Sequence, residues 1–260
     1  MRSRSLQPGE LVVVTVVTAS PVTGLSATAF GSRLQPYRVD PLTWRVLVGI
    51  DLAVTPGIYP IAIETASPGG SGTAKYDLAV VAKRFRTRTL KVDEAFVNPP
   101  ASVQKRIEDE SAELARIWRE SATEKLWTDA FIRPVPHEAN SAFGSRSVFN
   151  GQARNPHTGA DFLSPSGTPV KAPGGGRVAL ARDRYYSGGT VVIDHGLGLF
   201  SFFAHLSSID VKPGDVVAAG QVVGKVGATG RVTGAHLHWT VRVGSASIDP
   251  LSLLAMLGSR

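Results

Sequence analysis

The chain of 260 residues contains no cysteine. Disulfides and thiolate zinc sites are therefore excluded, and the composition fits an oxidising compartment. No stretch approaches the ~20 consecutive apolar residues that a membrane-spanning helix needs. The early apolar run Leu11–Val17 contains Thr15 and follows Pro8 and Gly9. It reads as a strand rather than as the core of a signal peptide. Residues 139–260 contain no glutamate at all. The helical His-Glu-x-x-His zinc proteases take their general base from a glutamate, so a hydrolase built in this half must use histidine or aspartate.

What is present is unevenly spread. The formal charge is +7, and residues 139–260 carry 11 Lys and Arg against 6 Asp, while residues 1–138 carry 17 against 15 Asp and Glu. The C-terminal part should therefore favour anionic partners: nucleic acid, an acidic wall polymer or a membrane surface.

Residues 8–92 are rich in Val, Thr and Ile. Their apolar runs, Leu11–Val17, Trp44–Val54, Ile58–Ile63 and Tyr76–Val81, are separated by Pro, Gly and Ser. That spacing predicts a small antiparallel β-sandwich, with a hairpin loop at Pro68–Gly72. The basic run Lys83, Arg84, Arg86, Arg88 and Lys91 reads as a charged edge strand; binding an acidic polymer is the other reading. Residues 102–130 form the main helical segment, with Ser102 as its cap. Ile107, Leu114 and Trp118 share one face, which would cover the following domain or bridge the two. After Pro134 and Pro136, residues 139–260 hold 19 of the 27 glycines and short Val-rich segments separated by turns. These predict an all-β domain. The phrase Val211–Gly224 resembles the turns of biotinyl and lipoyl carrier domains, although no lysine stands at a hairpin tip as a carrier requires. The expected architecture is mainly β, with an Ig-like sandwich over 1–97, a helical linker over 98–138 and an antiparallel β domain over 139–260.

That last part also carries the chemistry. His157 and Asp161 stand four apart; His236 and His238 flank Leu237; His205 lies between the two groups. Two imidazoles and a carboxylate fill three positions of a tetrahedral zinc ion and leave one for water, the catalytic pattern. If His236–His238 is a strand, both histidines leave one face with Cα atoms ~7 Å apart. One can bind metal while the other sits beside the water. An extended chain puts His157 and Asp161 on one face too, with Gly159 permitting a close or bent backbone. A histidine near its usual pKa of about 6.5 suits proton transfer, and His205 and His236 remain for it once three ligands are assigned. His195, in Ile193–Gly196, reads as a hairpin turn residue. His137, after two prolines, needs no function.

Five segments together resemble the lysostaphin/LytM-type zinc endopeptidases, which cut peptide bonds in bacterial peptidoglycan. They are Ser141–Arg146, Pro156–Phe162, Gly167–Val170, Phe203–Leu206 and Gly227–Trp239. The resemblance covers residues 140–250 and implies metal ligands His157, Asp161 and His238, with His205 and His236 as the catalytic pair. It implies a lipoyl-carrier-like β domain, Zn²⁺ as cofactor and peptidoglycan, not nucleic acid, as partner. The approach to the first ligand, Val148–His157, looks most like members from Gram-negative bacteria, which often carry an N-terminal β-sandwich. A periplasmic or extracellular location follows, with a leader removed, and membrane or envelope association is compatible with it. The chain departs from the pattern in three places. Phe149 is the aromatic nearest the first ligand, where some members have tyrosine; Phe203 replaces the tyrosine of Tyr-x-His-Leu; and Ala235 replaces a frequent proline. None removes a ligand. Nitrogen and oxygen ligands also accept cobalt, nickel or manganese. The alternatives are a catalytically inactive LytM-like regulator of a wall amidase, which would typically lack ligands, and a polymer-binding module.

Overall fold

A computed structural model of the chain describes residues 1–90, 99–139, 143–153 and 155–259. Lys91 of the basic run, the Ser141–Ala142 start of the first matching segment and Arg154 lie outside the described residues. Among the described residues no helix is long and apolar enough to cross a membrane.

The N-terminal part holds β1 (Leu11–Val17), β2 (Gly24–Ala29), β3 (Ser32–Leu34), β4 (Tyr37–Arg38), β5 (Thr43–Gly49), β6 (Gly57–Ser67) and β7 (Gly70–Val80). They form two antiparallel sheets, β1-β5-β4 and β3-β2-β6-β7. Val12, Val14, Val46 and Val48 of the first face Ala27, Ile61, Ile63 and Leu78 of the second in one core. β6 and β7 are paired to Ser67 and Gly70, so the predicted hairpin loop shortens to Pro68 and Gly69.

The alternate residues of the first sheet explain why its apolar runs are unbroken. Leu11, Val13 and Leu47 point the other way, into a core shared with Phe131, Trp239, Val241, Ile248 and Leu253. A strand buried on both faces needs apolar residues at every position rather than at every second one.

Residues Thr87–Leu90 form β8, and α1 spans Ala101–Ile117. The helix is shorter than its predicted range of 102–130, and Pro100 occupies the cap position without a side-chain bond, so Ser102 does not cap it. The chain leaves the helix because other partners take its backbone. Ser121 Oγ and Ala122 N both donate to the Asp194 carboxylate at 2.7 Å, and Leu197 N and Leu126 N bond across to Ala122 and His195 carbonyls. Two of the three residues of the predicted apolar face are used: Leu114 and Trp118 pack, with Ile117, on Leu180, Val192 and Phe200, and Ile107 is not in that cluster. The Trp118 and Phe200 rings meet edge to face at 5.0 Å, a geometry that adds about 1 kcal/mol to the burial itself.

The C-terminal part comprises β9 (Arg146–Phe149), β10 (Gln152–Ala153), β11 (Gly159–Phe162), β12 (Pro169–Lys171), β13 (Gly176–Arg184), β14 (Gly188–Gly196), β15 (Leu199–Ile209), β16 (Val216–Val217), β17 (Val222–Val226), β18 (Leu237–Val243), β19 (Ala246–Ile248) and α2 (Pro250–Leu257). Nine of these strands make one sheet, running β11-β18-β15-β14-β13-β16, with β17 joining β15 to β12 and β19 on β18. All pairs in it are antiparallel, as expected for a mainly β fold. β14, buried at every position, alternates faces: Val191 and Ile193 enter the main core and Val192 meets α1. A separate small sheet, β8-β9-β10, joins Thr87–Leu90 to Arg146–Phe149 in parallel. β8 is an edge of it among the described residues, and the carbonyl of Arg86 accepts from Arg146 N at 2.8 Å. Lys83, at the start of the basic run, lies 3.8 Å from the buried Glu10 carboxylate.

Candidate metal centre

β11 and β18 are in register so that Asp161 lies directly opposite His238. The pleat then decides which side chains meet. Leu237 and Trp239 are wholly buried, and His238 projects from the opposite face, toward Asp161. Gly159 allows this pairing: a Cβ there would overlap the Trp239 carbonyl and come within 2.8 Å of the His238 ring. His157, in the turn before β11, is held by its own backbone. Its carbonyl accepts from Gly144 N at 2.7 Å and its N–H donates to the Ser145 carbonyl at 2.8 Å.

Three donor atoms thereby close a triangle. His157 Nε2 is 3.0 Å from Asp161 Oδ1 and 3.0 Å from His238 Nδ1, and His238 Nδ1 is 2.9 Å from Asp161 Oδ1. Three lone-pair atoms this close repel one another unless positive charge lies between them. Protons can serve two edges at most; a cation serves all three. The donor set of two imidazoles and one carboxylate is a fitting one for zinc, whose bonds of about 2.0–2.2 Å reach the centre of such a triangle. The side chains are 15–24% exposed, so the cluster opens to solvent on one side. Burial opposes ionisation of Asp161, but the hydrogen bonds from His157 and His238 outweigh it and hold the carboxyl well below the usual carboxylate range. Burial lowers the pKa of His238. Its far nitrogen, Nε2, shares a hydrogen bond with Thr240 Oγ1 at 2.9 Å, which fixes the ring and leaves Nδ1 facing the triangle.

His205 and His236 flank this triangle, their ring centroids 4.8 Å apart and His205 6.1 Å from His238. Each has its tautomer set by a carbonyl, which can only accept. His205 Nδ1 donates to Thr229 O and His236 Nδ1 to Gly234 O, both at 2.9 Å. The Nε2 atoms are thus left bare, and that of His236 lies 3.8 Å from Asp161 Oδ1. Burial pushes His205 down to about 4, only partly offset by the Thr229 carbonyl, so its imidazole is neutral at pH 7. His205 also has φ = 67°, in the left-handed region that costs a non-glycine residue roughly 1 kcal/mol. It sits where β15 holds one residue more than β14 between paired positions, since Leu206 faces Gly189 and Phe203 faces Val191. That bulge turns the His205 side chain toward the cluster.

All five residues named from the sequence are therefore gathered in one place. The sequence reading misses their supports, Thr240 and the Thr229 and Gly234 carbonyls, while Gly159, read as permitting a close or bent backbone, does pack closely. Thr240 has a signal, since it continues the alternate row of His236 and His238. His195 requires a correction. It lies inside β14, wholly buried, and the turn is made by Leu197 and Gly198. Its Nδ1 donates to Gly175 O at 2.8 Å and its Nε2 accepts from Ser201 Oγ at 2.9 Å. Ser201 Oγ in turn accepts from the Trp239 indole at 3.1 Å. This closed relay anchors the residue next to His238. His137 bonds Ser164 through Nδ1 at 2.9 Å.

Comparison with known proteins decides the family. The model of peptidase family M23 matches residues 155–250, which include all five histidine and aspartate positions. A crystal structure of a Pseudomonas aeruginosa protein assigned to peptidase M23 is 34% identical, superposes with a TM-score of 0.75, and the match covers 96% of each chain. The chain belongs to peptidase family M23. Among curated M23-like relatives, peptidoglycan DD-endopeptidase ShyA of Vibrio cholerae is 45% identical over 96 residues, 37% of this chain and 22% of that protein. Lysostaphin of Staphylococcus staphylolyticus is 39% identical over 108 residues, 39% of this chain and 22% of that protein. The aligned part thus spans about a fifth of each curated relative.

Proposed function

We propose that this M23 peptidase is a zinc-dependent endopeptidase that hydrolyses peptide bonds in the stem peptides or cross-bridges of peptidoglycan. The observation that carries this reading is the triangle of His157, Asp161 and His238 with two bare imidazole nitrogens beside it. The names of the relatives support the substrate class. His157 Nε2, Asp161 Oδ1 and His238 Nδ1 hold the metal in this reading. A bound divalent cation supplies Lewis acidity, polarising a carbonyl and acidifying water. His236 and the neutral His205 do the rest. A bare Nε2 accepts a proton from the attacking water, and the resulting imidazolium donates to the oxyanion or to the leaving amine. Their Nδ1 bonds to backbone carbonyls keep both rings aimed while the charge changes. The absence of glutamate from residues 139–260 leaves these histidines as the proton carriers in this domain.

The working division is a sandwich module over 1–97, a linker over 98–138 and the peptidase domain over 139–260, acting in the periplasm or outside the cell. The positive surface would hold the anionic wall mesh. Purified sacculi incubated with the full chain and with His238→Ala test the reading, with metal content measured on both. Release of muropeptides by the unmodified protein alone, with metal in that protein alone, supports it. Binding without cleavage would favour a regulator of another wall enzyme.

A further inference from the structure

The three proposed ligands are not supported in the same way. Asp161 and His238 belong to the nine-stranded sheet and are fixed by its register. The backbone of His157 bonds to Gly144 and Ser145. Those residues stand outside the sheet, and residues 1–90 pack against their segment. The ring of Phe143, 4% exposed, lies on Gly9, where a Cβ would overlap it. Gly9 is itself pinned between the Ile50 carbonyl at 2.6 Å and Asp249 N at 2.8 Å. Gly144 has φ = 79°, and a Cβ on it would overlap the Phe85 ring and come within 2.9 Å of Leu52. The chain then continues into β9, zipped in parallel to β8 from Thr87↔Arg146 to Leu90↔Phe149.

From these contacts we infer that the N-terminal sandwich positions the first metal ligand: Gly9, Leu52 and Phe85 clamp Phe143 and Gly144, and these hold His157. Phe143 and Phe85 are positioning residues, acting through the His157 backbone. The inference rests on the metal-site reading above. It gives residues 1–90 a part in metal binding, because loosening their grip frees one ligand of three.

The test uses the full chain with Phe143→Ala, Phe85→Ala, the milder Phe143→Leu and Phe85→Leu, and Ile61→Val as a control in the sandwich core, away from the clamp. Zinc affinity is read by competition with a chromophoric chelator, geometry by the visible bands of the cobalt-substituted protein, and folding by the melting of the metal-free form. Outer partners of ligands typically contribute 10–100-fold to metal affinity. The alanine variants should therefore lose about tenfold or more and shift the cobalt bands. The leucine variants should recover most of both, and Ile61→Val should lower melting without touching either. Where an alanine variant fails to fold, a drop of a few-fold in its leucine partner is the supporting result. Unchanged zinc affinity and cobalt bands in variants of a protein that does bind zinc would overturn the inference alone. A wild-type chain that binds no metal would overturn the metal-site reading and the inference with it.

Discussion

Two regions build this centre by different means. The β11–β18 pair delivers Asp161 and His238 by strand register, so their meeting follows from pairings repeated along the whole sheet. The loop before β11, the bulge in β15 and the residue just before β18 deliver His157, His205 and His236 one at a time, through individual backbone bonds and, at His205, a strained φ. Register is cooperative and hard to shift by one residue, because a slip would expose Leu237 and Trp239. A turn-borne ligand can be moved without disturbing the core.

The sharpest way to break the comparison is ligand deletion. Structural zinc sites bind with roughly 10–16 kcal/mol over four ligands, about 2.5–4 kcal/mol each. His238→Ala should therefore weaken zinc binding by about a hundredfold to nearly a thousandfold and abolish sacculus hydrolysis, as measured by chelator competition and muropeptide release. His157→Ala, which leaves the registered pair intact, should retain measurably more affinity. Equal losses would erase the distinction.

The second effect concerns the sheet alone. His195 is wholly buried and held down to about 4 by that burial, against about 6.5 in an unfolded chain. Between these values the unfolded state takes up a proton that the folded state refuses, so stability falls as pH drops from about 6.5 to about 4. The loss should be on the order of 3 kcal/mol, read from urea midpoints at the two ends of the window. His195→Gln should lessen that slope without removing it, since His205 is held down to about 4 as well, and a slope as steep as wild type would assign the acid sensitivity elsewhere.

Gly159→Ala comes next. Its methyl would meet the Trp239 carbonyl and the His238 ring, and overpacking of this kind costs typically 1–3 kcal/mol. Denaturation midpoints and zinc titration should fall together here. The smallest effect isolates the strained bulge at His205. His205→Gly and His205→Ala should be equally inactive, while the glycine variant is the more stable by about 1 kcal/mol because it relieves φ = 67°. An alanine variant of equal or greater stability would show that His205 is not strained.

Much of the fold is legible in the residues themselves. The strand Leu11–Val17 matches its apolar run residue for residue, because apolar content and turn residues act locally. The helix end at Ile117 is not legible, since what stops the helix is Asp194, 73 residues from Ser121 in the chain. α2 is absent from the sequence-based expectation although Asp249 caps it and Pro250 opens it, a start signal of the ordinary kind.

Residue identity and spacing alone determined which donor types are on offer: imidazole and carboxylate, with no thiolate and no glutamate in residues 139–260. They also determined the one-residue spacing of His236 and His238, although β18 begins only at Leu237 and His236 stands just before it. Only the tertiary structure decided that Asp161 lies opposite His238, that carbonyls at Thr229 and Gly234 choose the tautomers, and that His195 is a core residue. The physical reason is range: side-chain chemistry and pleat are properties of a few neighbouring residues, whereas register, carbonyl partners and burial depend on segments brought together from across the chain.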